Sequence, residues 1–278
     1  MRHSTLGGPG RPVPVSIYET PAALGQALAA ELLTKINSAR AAGRPFLLGC
    51  PGGRSLQTTY QALGEQAKQV GADLSHLVIV MMDDYVLPAA HGFAHCPAEA
   101  HYSCRRFAWE DIWQVLKAGL SKEKQIRREN VWFPDPANPA AYDDKLKAAG
   151  GIDVFLIASG ASDGHVAFNP PGTELSSRTR IIPLAETTRQ DNLKTFPEFK
   201  TLAEVPGHGV SVGLGTIAGL SRQVILVIHG AHKQAAVRRL AASKDFTPDW
   251  PASVIFRCQQ PHLLLDEAAA VGLANTKL

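Results

Sequence analysis

An acid and an imidazole stand two residues apart in Ser159-Gly-Ala-Ser-Asp-Gly-His165, a turn rich in glycine and serine. Histidine titrates near neutral pH, so His165 can take up and release protons under working conditions. A neighbouring carboxylate, Asp163, can orient the ring and stabilise its charged form. Gly160 and Gly164 allow the backbone to approach a ligand closely. A second acidic feature, Asp83-Asp84, follows the apolar run Leu77–Met82. Side chains alternate along an extended chain, so one of the two can face a pocket while the other caps or pairs. Two adjacent, partly buried carboxylates raise the pKa of one of them towards that of a useful base. The third feature is Gly52-Gly53-Arg54-Ser55. A strand, a glycine turn and a helix expose backbone N–H groups at a helix N-terminus, an arrangement that attracts phosphate. An ordinary strand-to-helix turn carries the same outward pattern. The Arg54 guanidinium could grip a phosphate with two hydrogen bonds, or it could narrow the pocket.

These groups need rigid elements to hold them. Short apolar runs that read as strands are Phe46–Cys50, Leu77–Met82, Val154–Ala158, Gly209–Val212, Val224–Ile228, Val254–Arg257 and His262–Leu265. Helical patterns separate them at Pro21–Ala42, Leu56–Val70, Arg105–Leu120, Pro139–Ala149, Thr187–Thr195 and His232–Ala242. In the first helix Leu24, Leu28, Leu32 and Ile36 make one apolar face. Continuously apolar strands alternating with helices predict an α/β fold: a three-layer, Rossmann-like, doubly wound and mainly parallel sheet with helices on both faces. Asp163 and His165 then sit at a strand end, where ligands bind in such folds. Leu87 to Ser103 lacks periodicity and reads as a long loop beside Asp83, suited to act as a lid.

The chain of 278 residues shows no internal repeat and no linker, and 15–278 reads as one domain. Residues 1–14, rich in Gly and Pro, are expected to form a poorly ordered tail. A formal charge of +3, without a basic run or basic aromatic stripe, gives no footing for nucleic acid. No apolar run has the length of a membrane span, and the N-terminus lacks the apolar core of a secretory signal. Four cysteines in a chain this long do not form a disulfide framework, which makes the cytoplasm the default location. His91, His95, Cys96, His101 and Cys104 crowd one segment with zinc-like chemistry, but their spacing fits no compact finger. We therefore expect no metal.

Five blocks carry a resemblance, in order along residues 40–270. They are Leu48–Tyr60, Met82-Asp-Asp-Tyr-Val-Leu-Pro88, Asp163-Gly-His-Val-Ala-Phe-Asn169 with Leu175–Arg180, Thr187–Asn192, and Val205–Thr216 continuing to His232-Lys233. Trp250–Ser253 and Asp266–Ala269 extend the match. Together they resemble the glucosamine-6-phosphate deaminase (isomerase) family. The resemblance implies a phosphate held by Gly52, Gly53, Arg54, Ser55, Lys194 and Lys233. It implies that Asp163 and His165 open the sugar ring, and that Asp83 is the base shuttling a proton between C2 and C1. No cofactor is implied, because every step is a proton transfer. The partner implied is a hexosamine phosphate, and self-association into a homo-oligomer is left open.

The chain departs from the family at several positions. Arg54 stands where the deaminases usually carry glycine, and Asp84 where they carry glutamate. Lys194 replaces an arginine that grips phosphate, keeping the charge but losing the fork. Ile182 occupies the place of an allosteric lysine, so control by an amino-sugar phosphate is not expected. Pro170 replaces the glutamate that completes the ring-opening relay, and proline can neither give nor accept a proton. Glu174, four residues on, is a candidate substitute. Three readings follow: an amino-sugar-phosphate isomerase/deaminase, a 6-phosphogluconolactonase-like hydrolase on the same fold, or a sugar-phosphate-binding protein with reduced catalysis.

Overall fold

The computed structural model of the protein describes residues 1–7 and 12–273, and of Lys194 the main chain only. Among these residues the apolar runs assemble into one eight-stranded sheet. Its order is β1 (Arg2–Leu6), β2 (Val13–Tyr18), β12 (Pro261–Asp266), β11 (Ser221–Ile228), β8 (Ile152–Ala158), β3 (Phe46–Cys50), β4 (Leu77–Met81) and β7 (Val131–Trp132). Every pairing from β2 to β7 is parallel, and β1 alone runs antiparallel at the edge. Strand alternation splits the core in two. In β8, Val154 and Leu156 join the apolar cluster on one face, Phe155 and Ile157 the cluster on the other.

The first face is covered by α1 (Pro21–Ala41) and α2 (Gln57–Val70), together with α3 (Cys104–Phe107) and α4 (Gln114–Lys117). Helix α1 starts where the Thr20 hydroxyl accepts from the Ala23 N–H at 3.1 Å, with Pro21 in the first turn. Leu24, Leu28, Leu32 and Ile36 are all buried on its sheet side. The opposite face is covered by α5 (Ala140–Ala148), α7 (Leu214–Leu220) and α8 (Gln234–Ala242). The remaining longer helix, α6 (Glu186–Thr195), lies over the strand ends and borders the cavity described below.

A second, four-stranded sheet, antiparallel throughout, has the order β6 (Gly92–His95), β5 (Asp83–Ala89), β10 (His208–Ser211) and β9 (Arg180–Pro183). It corrects two expectations. Leu87 to Ser103 is no long loop, because β5 and β6 form a hairpin pairing Val86 with His95 and Ala89 with Gly92. Gly209–Val212 belongs largely to β10 of this small sheet, not to the parallel one. Three further expectations change. Arg2–Leu6 pairs with β2 where a tail was expected, and Leu6 and Val13 are buried at the end of the ladder, while residues 8–11 lie outside the described set. Val254–Arg257 falls within a buried 3₁₀ turn, Pro251–Arg257; a four-residue apolar run cannot by periodicity be told from a buried helical one. The expected helix Arg105–Leu120 is interrupted by a wider π-turn at Ala108–Trp113.

The strand order creates the binding crevice. From β3 the sheet grows towards β4 and β7 on one side, and from β8 towards β11 and β12 on the other. Such a reversal leaves a gap outside the carboxyl ends of the two central strands. Here those ends are Cys50-Pro51-Gly52-Gly53 and Ala158-Ser159-Gly160.

Candidate active site

A cavity of about 700 Å³ opens at this switch point. One wall is the turn after β3. Gly53 has φ +86°, a conformation that L side chains rarely adopt, and it leads into the short 3₁₀ turn Arg54–Leu56 that feeds α2. The turn is anchored from below by the Tyr60 hydroxyl, which donates to the Pro51 carbonyl at 3.0 Å. From the side, His229 Nε2 donates to the Ser55 carbonyl at 3.0 Å. Lys233 lies across from it, its ammonium donating to the Ser159 carbonyl. Burial lowers the Lys233 pKa, and the charges of Asp191 and Asp163 act against that shift. His232 is also lowered, by burial first and then by the positive charges of Lys233, His229 and Arg54. Arg54 and Lys233 thus place two cations beside a glycine turn at this end of the cavity, an arrangement suited to an anion. Arg54 is exposed and reaches Thr195 Oγ1 on α6 at 3.5 Å.

The turn after β8 carries the acid–imidazole pair. Asp163 Oδ1 is 2.7 Å from His165 Nδ1 and also accepts from the His165 backbone N–H at 3.1 Å. Asp163 Oδ2 accepts from the Thr187 hydroxyl at 2.7 Å, which docks α6 onto the turn. Burial works to raise the Asp163 carboxyl. The hydrogen bonds and charge of His165, with the Thr187 bond, outweigh it and hold Asp163 well below the usual carboxylate range. Nδ1 is thereby committed, and Nε2 remains for proton transfer. Gly160 is required here, since a Cβ would lie 2.3 Å from His165 Nδ1 and 2.5 Å from Asp163 Oδ1. Ala167, on the cavity wall, has φ +53°, uncommon for a residue with a side chain. Asn169 holds the bend around it, donating to the Val166 and Val212 carbonyls at 3.0 and 2.8 Å.

Asp83 and Asp84 open β5, in register with Ser211 and Val210 of β10. Their side chains part as alternation requires. Asp84 is fully buried and accepts from the backbone N–H of Tyr85 and of Cys104, and from His95 Nδ1 and Arg105 Nε, all at 2.9–3.1 Å. It is a structural carboxylate. Asp83 lines the cavity. Burial pushes its pKa up to about 7, a hydrogen bond from Cys104 works to lower it, and the Asp84 charge works to raise it. Such a group is ionised in part of the molecules near neutrality, as a general base requires.

Gly52, Gly53, Arg54, Ser55, Asp83, His165 and Lys233 thus border one cavity, with Asp163 directly behind His165. Lys194 belongs to α6, and its side chain lies outside the described set. Pro170 is not part of the cavity wall, and its carbonyl accepts from Thr173. Glu174 is exposed and hydrogen-bonded to Ser176, so it does not supply the missing carboxylate. The His/Cys-rich segment disperses. His95 joins Asp84, His101 packs among Tyr102, Phe196 and Phe199, and Cys104 joins the cavity wall. Among the described residues no three His, Cys, Asp or Glu side chains gather to hold a metal. Among them, too, no helix is long and apolar enough to cross a membrane. Sequence reasoning missed Cys104, His229, His232 and the face of α6 that presents Thr188, Asp191 and Asn192. The helical spacing of these last three puts them on one face of α6, but it does not encode that this face meets the cavity.

Comparison with known proteins accords with this geometry. A profile of the glucosamine-6-phosphate isomerases/6-phosphogluconolactonase family matches residues 19–265. The chain is 36% identical to a glucosamine-6-phosphate deaminase of Pseudarthrobacter chlorophenolicus, covering 82% of this chain and 81% of that one. It is 32% identical to that of Shouchella clausii, covering 80% and 84%. Among solved structures, a monomeric glucosamine-6-phosphate deaminase superposes with a TM-score of 0.79 at 24% identity, over 92% of this chain and 98% of that one. The 6-phosphogluconolactonase from Trypanosoma cruzi superposes with 0.66 at 17% identity, over the whole of both chains. The chain belongs to the family of glucosamine-6-phosphate isomerases and 6-phosphogluconolactonases.

Proposed function

We propose that the protein converts glucosamine 6-phosphate, or an epimer of it, to fructose 6-phosphate and ammonia. The observation that carries this reading is that Asp83 and His165 border one cavity whose other end is the cationic glycine turn. The phosphate binds the backbone of Gly52 to Ser55 and the Lys233 ammonium, with Arg54 and Lys194 as further cations. His165, oriented by Asp163, exchanges a proton between the anomeric hydroxyl and the ring oxygen and so opens the ring. Asp83 takes the C2 proton and returns it to C1 through an enediol-like intermediate. The resulting imine is hydrolysed, releasing ammonia. A base with its pKa near 7 suits this shuttle, because it must accept and release the same proton within one turnover.

The rival is lactone hydrolysis, which the fold also accommodates and to which the Gly52–Ser55 turn and the Asp163-Gly-His165 core are equally suited. Ammonia and fructose 6-phosphate are measured on glucosamine 6-phosphate, alongside hydrolysis of 6-phosphogluconolactone. Deamination that disappears in Asp83→Asn is the expected outcome. Lactone hydrolysis above background, with no ammonia released between mildly acid and mildly basic pH, refutes the proposal.

A further inference from the structure

Two carboxylates among the described residues line the cavity, Asp83 and Asp191. Asp83 stands on β5 with the isomerisation chemistry. Asp191 stands on α6, and the helix carries it to the other half of the site. Thr187, one helical turn earlier, holds Asp163 Oδ2 at 2.7 Å. Residues four apart on a helix have Cβ atoms about 5–6 Å apart, so Asp191 faces the turn that carries Asp163 and His165. Ser162 of that turn has its Oγ 3.5 Å from Asp191 Oδ2. The Lys233 ammonium feels the same grouping: burial lowers it, and among the opposing charges Asp191 comes first and Asp163 second. Next along the helix, Asn192 also lines the cavity, and its Nδ2 is buried without a hydrogen-bond partner. A buried donor of that kind points to a ligand oxygen beside Asp191.

Opening a pyranose needs a donor for the ring oxygen and an acceptor for the anomeric hydroxyl proton. His165 has one nitrogen available, because Nδ1 is committed to Asp163. Pro170 and Glu174 offer no carboxylate to the cavity. We propose that Asp191 is a catalytic residue of ring opening, the carboxylate that accepts the anomeric hydroxyl proton. The inference rests on the deaminase reading above. In this step the C1–O5 bond breaks and its electron pair goes to O5, which takes the proton of the His165 imidazolium. The O1–H proton passes to Asp191, and the O1–H electron pair becomes the second bond of C1=O. The proton on Asp191 then returns to His165, so the step is balanced without any co-reactant.

The test compares the full-length wild type, Asp191→Asn and Asp191→Glu on glucosamine 6-phosphate, unlabelled and deuterated at C2. Losing a proton acceptor is expected to lower kcat by about 10²-fold in Asp191→Asn while KM stays within about threefold. The C2-deuterium isotope effect on kcat is expected to shrink towards unity, because ring opening then limits turnover and C2–H cleavage does not. Asp191→Glu should recover much of the rate and part of the isotope effect, and it carries the test alone should Asp191→Asn fail to melt cooperatively. A kcat close to wild type, a change confined to KM, or a slow variant with an undiminished isotope effect overturns the role of Asp191 and leaves the deaminase reading standing. A wild type that releases neither ammonia nor fructose 6-phosphate overturns both.

Discussion

The turn after β8 and the start of β5 each hold an aspartate at the same site, Asp163 behind His165 and Asp83 on the cavity wall, and their surroundings push their pKa values in opposite directions. Asp163 is surrounded by donors: the His165 ring, the His165 N–H and the Thr187 hydroxyl. It stays ionised and orients the imidazole. Asp83 has the opposite surroundings. Its neighbour Asp84 takes the donors of this region, from His95, Arg105 and two backbone N–H groups. Asp83 is left with burial, a like charge and the Cys104 thiol. One carboxylate is thus a fixed charge and the other a group that titrates near neutrality. Acid and base roles follow from environments that separate the pKa values of like side chains.

Neutralising each aspartate in turn separates the two roles. Asp83→Asn should lower kcat by at least about 10³-fold, since the only route for the C2 proton is lost, with KM little changed. Asp163→Asn should also lower kcat, by about 10²-fold or more, because His165 survives but loses its orientation. The two variants should also move stability in opposite directions. For Asp83 the folded pKa lies above the unfolded one, so between about pH 4 and pH 7 the folded state binds more protons and stability falls as pH rises. Asp83→Asn removes that loss, and its Tm should exceed that of the wild type at pH 8 and match it near pH 4. For Asp163 the folded pKa is depressed, and its contribution is present above about pH 4 and lost in acid. Asp163→Asn should therefore melt below the wild type at pH 8, with the gap closing in acid. Melting curves of both variants across this range check the signs.

The same contrast explains what could be read in the residues. β3, β4, β8, β11 and β12 each contain a continuous apolar run, as strands buried on both faces do, and both turns at the cavity follow such strands directly. Asp163, His165 and the Gly52–Ser55 turn were therefore legible with their neighbours. The β5 strand was not, because Asp83-Asp84-Tyr85 carries charge into a strand whose partners, β6 and β10, are distant or irregular in pattern. Cys104 and Asp191 were invisible as site residues for a related reason. Each reaches the cavity through a tertiary contact, Cys104 by bonding to Asp84 and Asp191 by the docking of α6 on Asp163. Local pattern encodes neither contact. The mismatch at Val254–Arg257 has the same source, since burial alone does not separate a strand from a tight helical turn.

Lys233 tests whether the two halves are independent. Its charge couples to Asp191 and Asp163, whereas Asp83 is absent from the groups acting on it. Lys233→Ala removes a charged hydrogen bond to phosphate worth about 1.5–3 kcal/mol, so KM should rise about 10- to 100-fold. The acid limb of the pH profile, set by Asp83, should stay where it is. A limb that moves with Lys233 would mean that one electrostatic unit spans the whole cavity.

Cys104 offers the smallest and most specific perturbation. Its backbone N–H is fixed on Asp84 at 2.9 Å while its thiol serves Asp83. Burial, followed by the charges of Asp83 and Asp84, holds the thiol well above its ordinary pKa, so the sulfur keeps its proton and remains a donor. Among the described residues the Cys104 thiol is the contact that favours the charged form of Asp83, and Cys104→Ala removes it. The acid limb of kcat/KM, expected near pH 7, should then move upward. Activity should fall a few-fold at about pH 6 and stay near wild type at about pH 8, where Asp83 is ionised regardless. Cys104→Ser restores a donor and should return the limb towards its original place. A wild-type limb near pH 4 would remove the basis of the comparison, because Asp83 would then be an ordinary carboxylate despite its burial. An unmoved limb in Cys104→Ala would instead leave burial and Asp84 as the sole causes of its raised pKa.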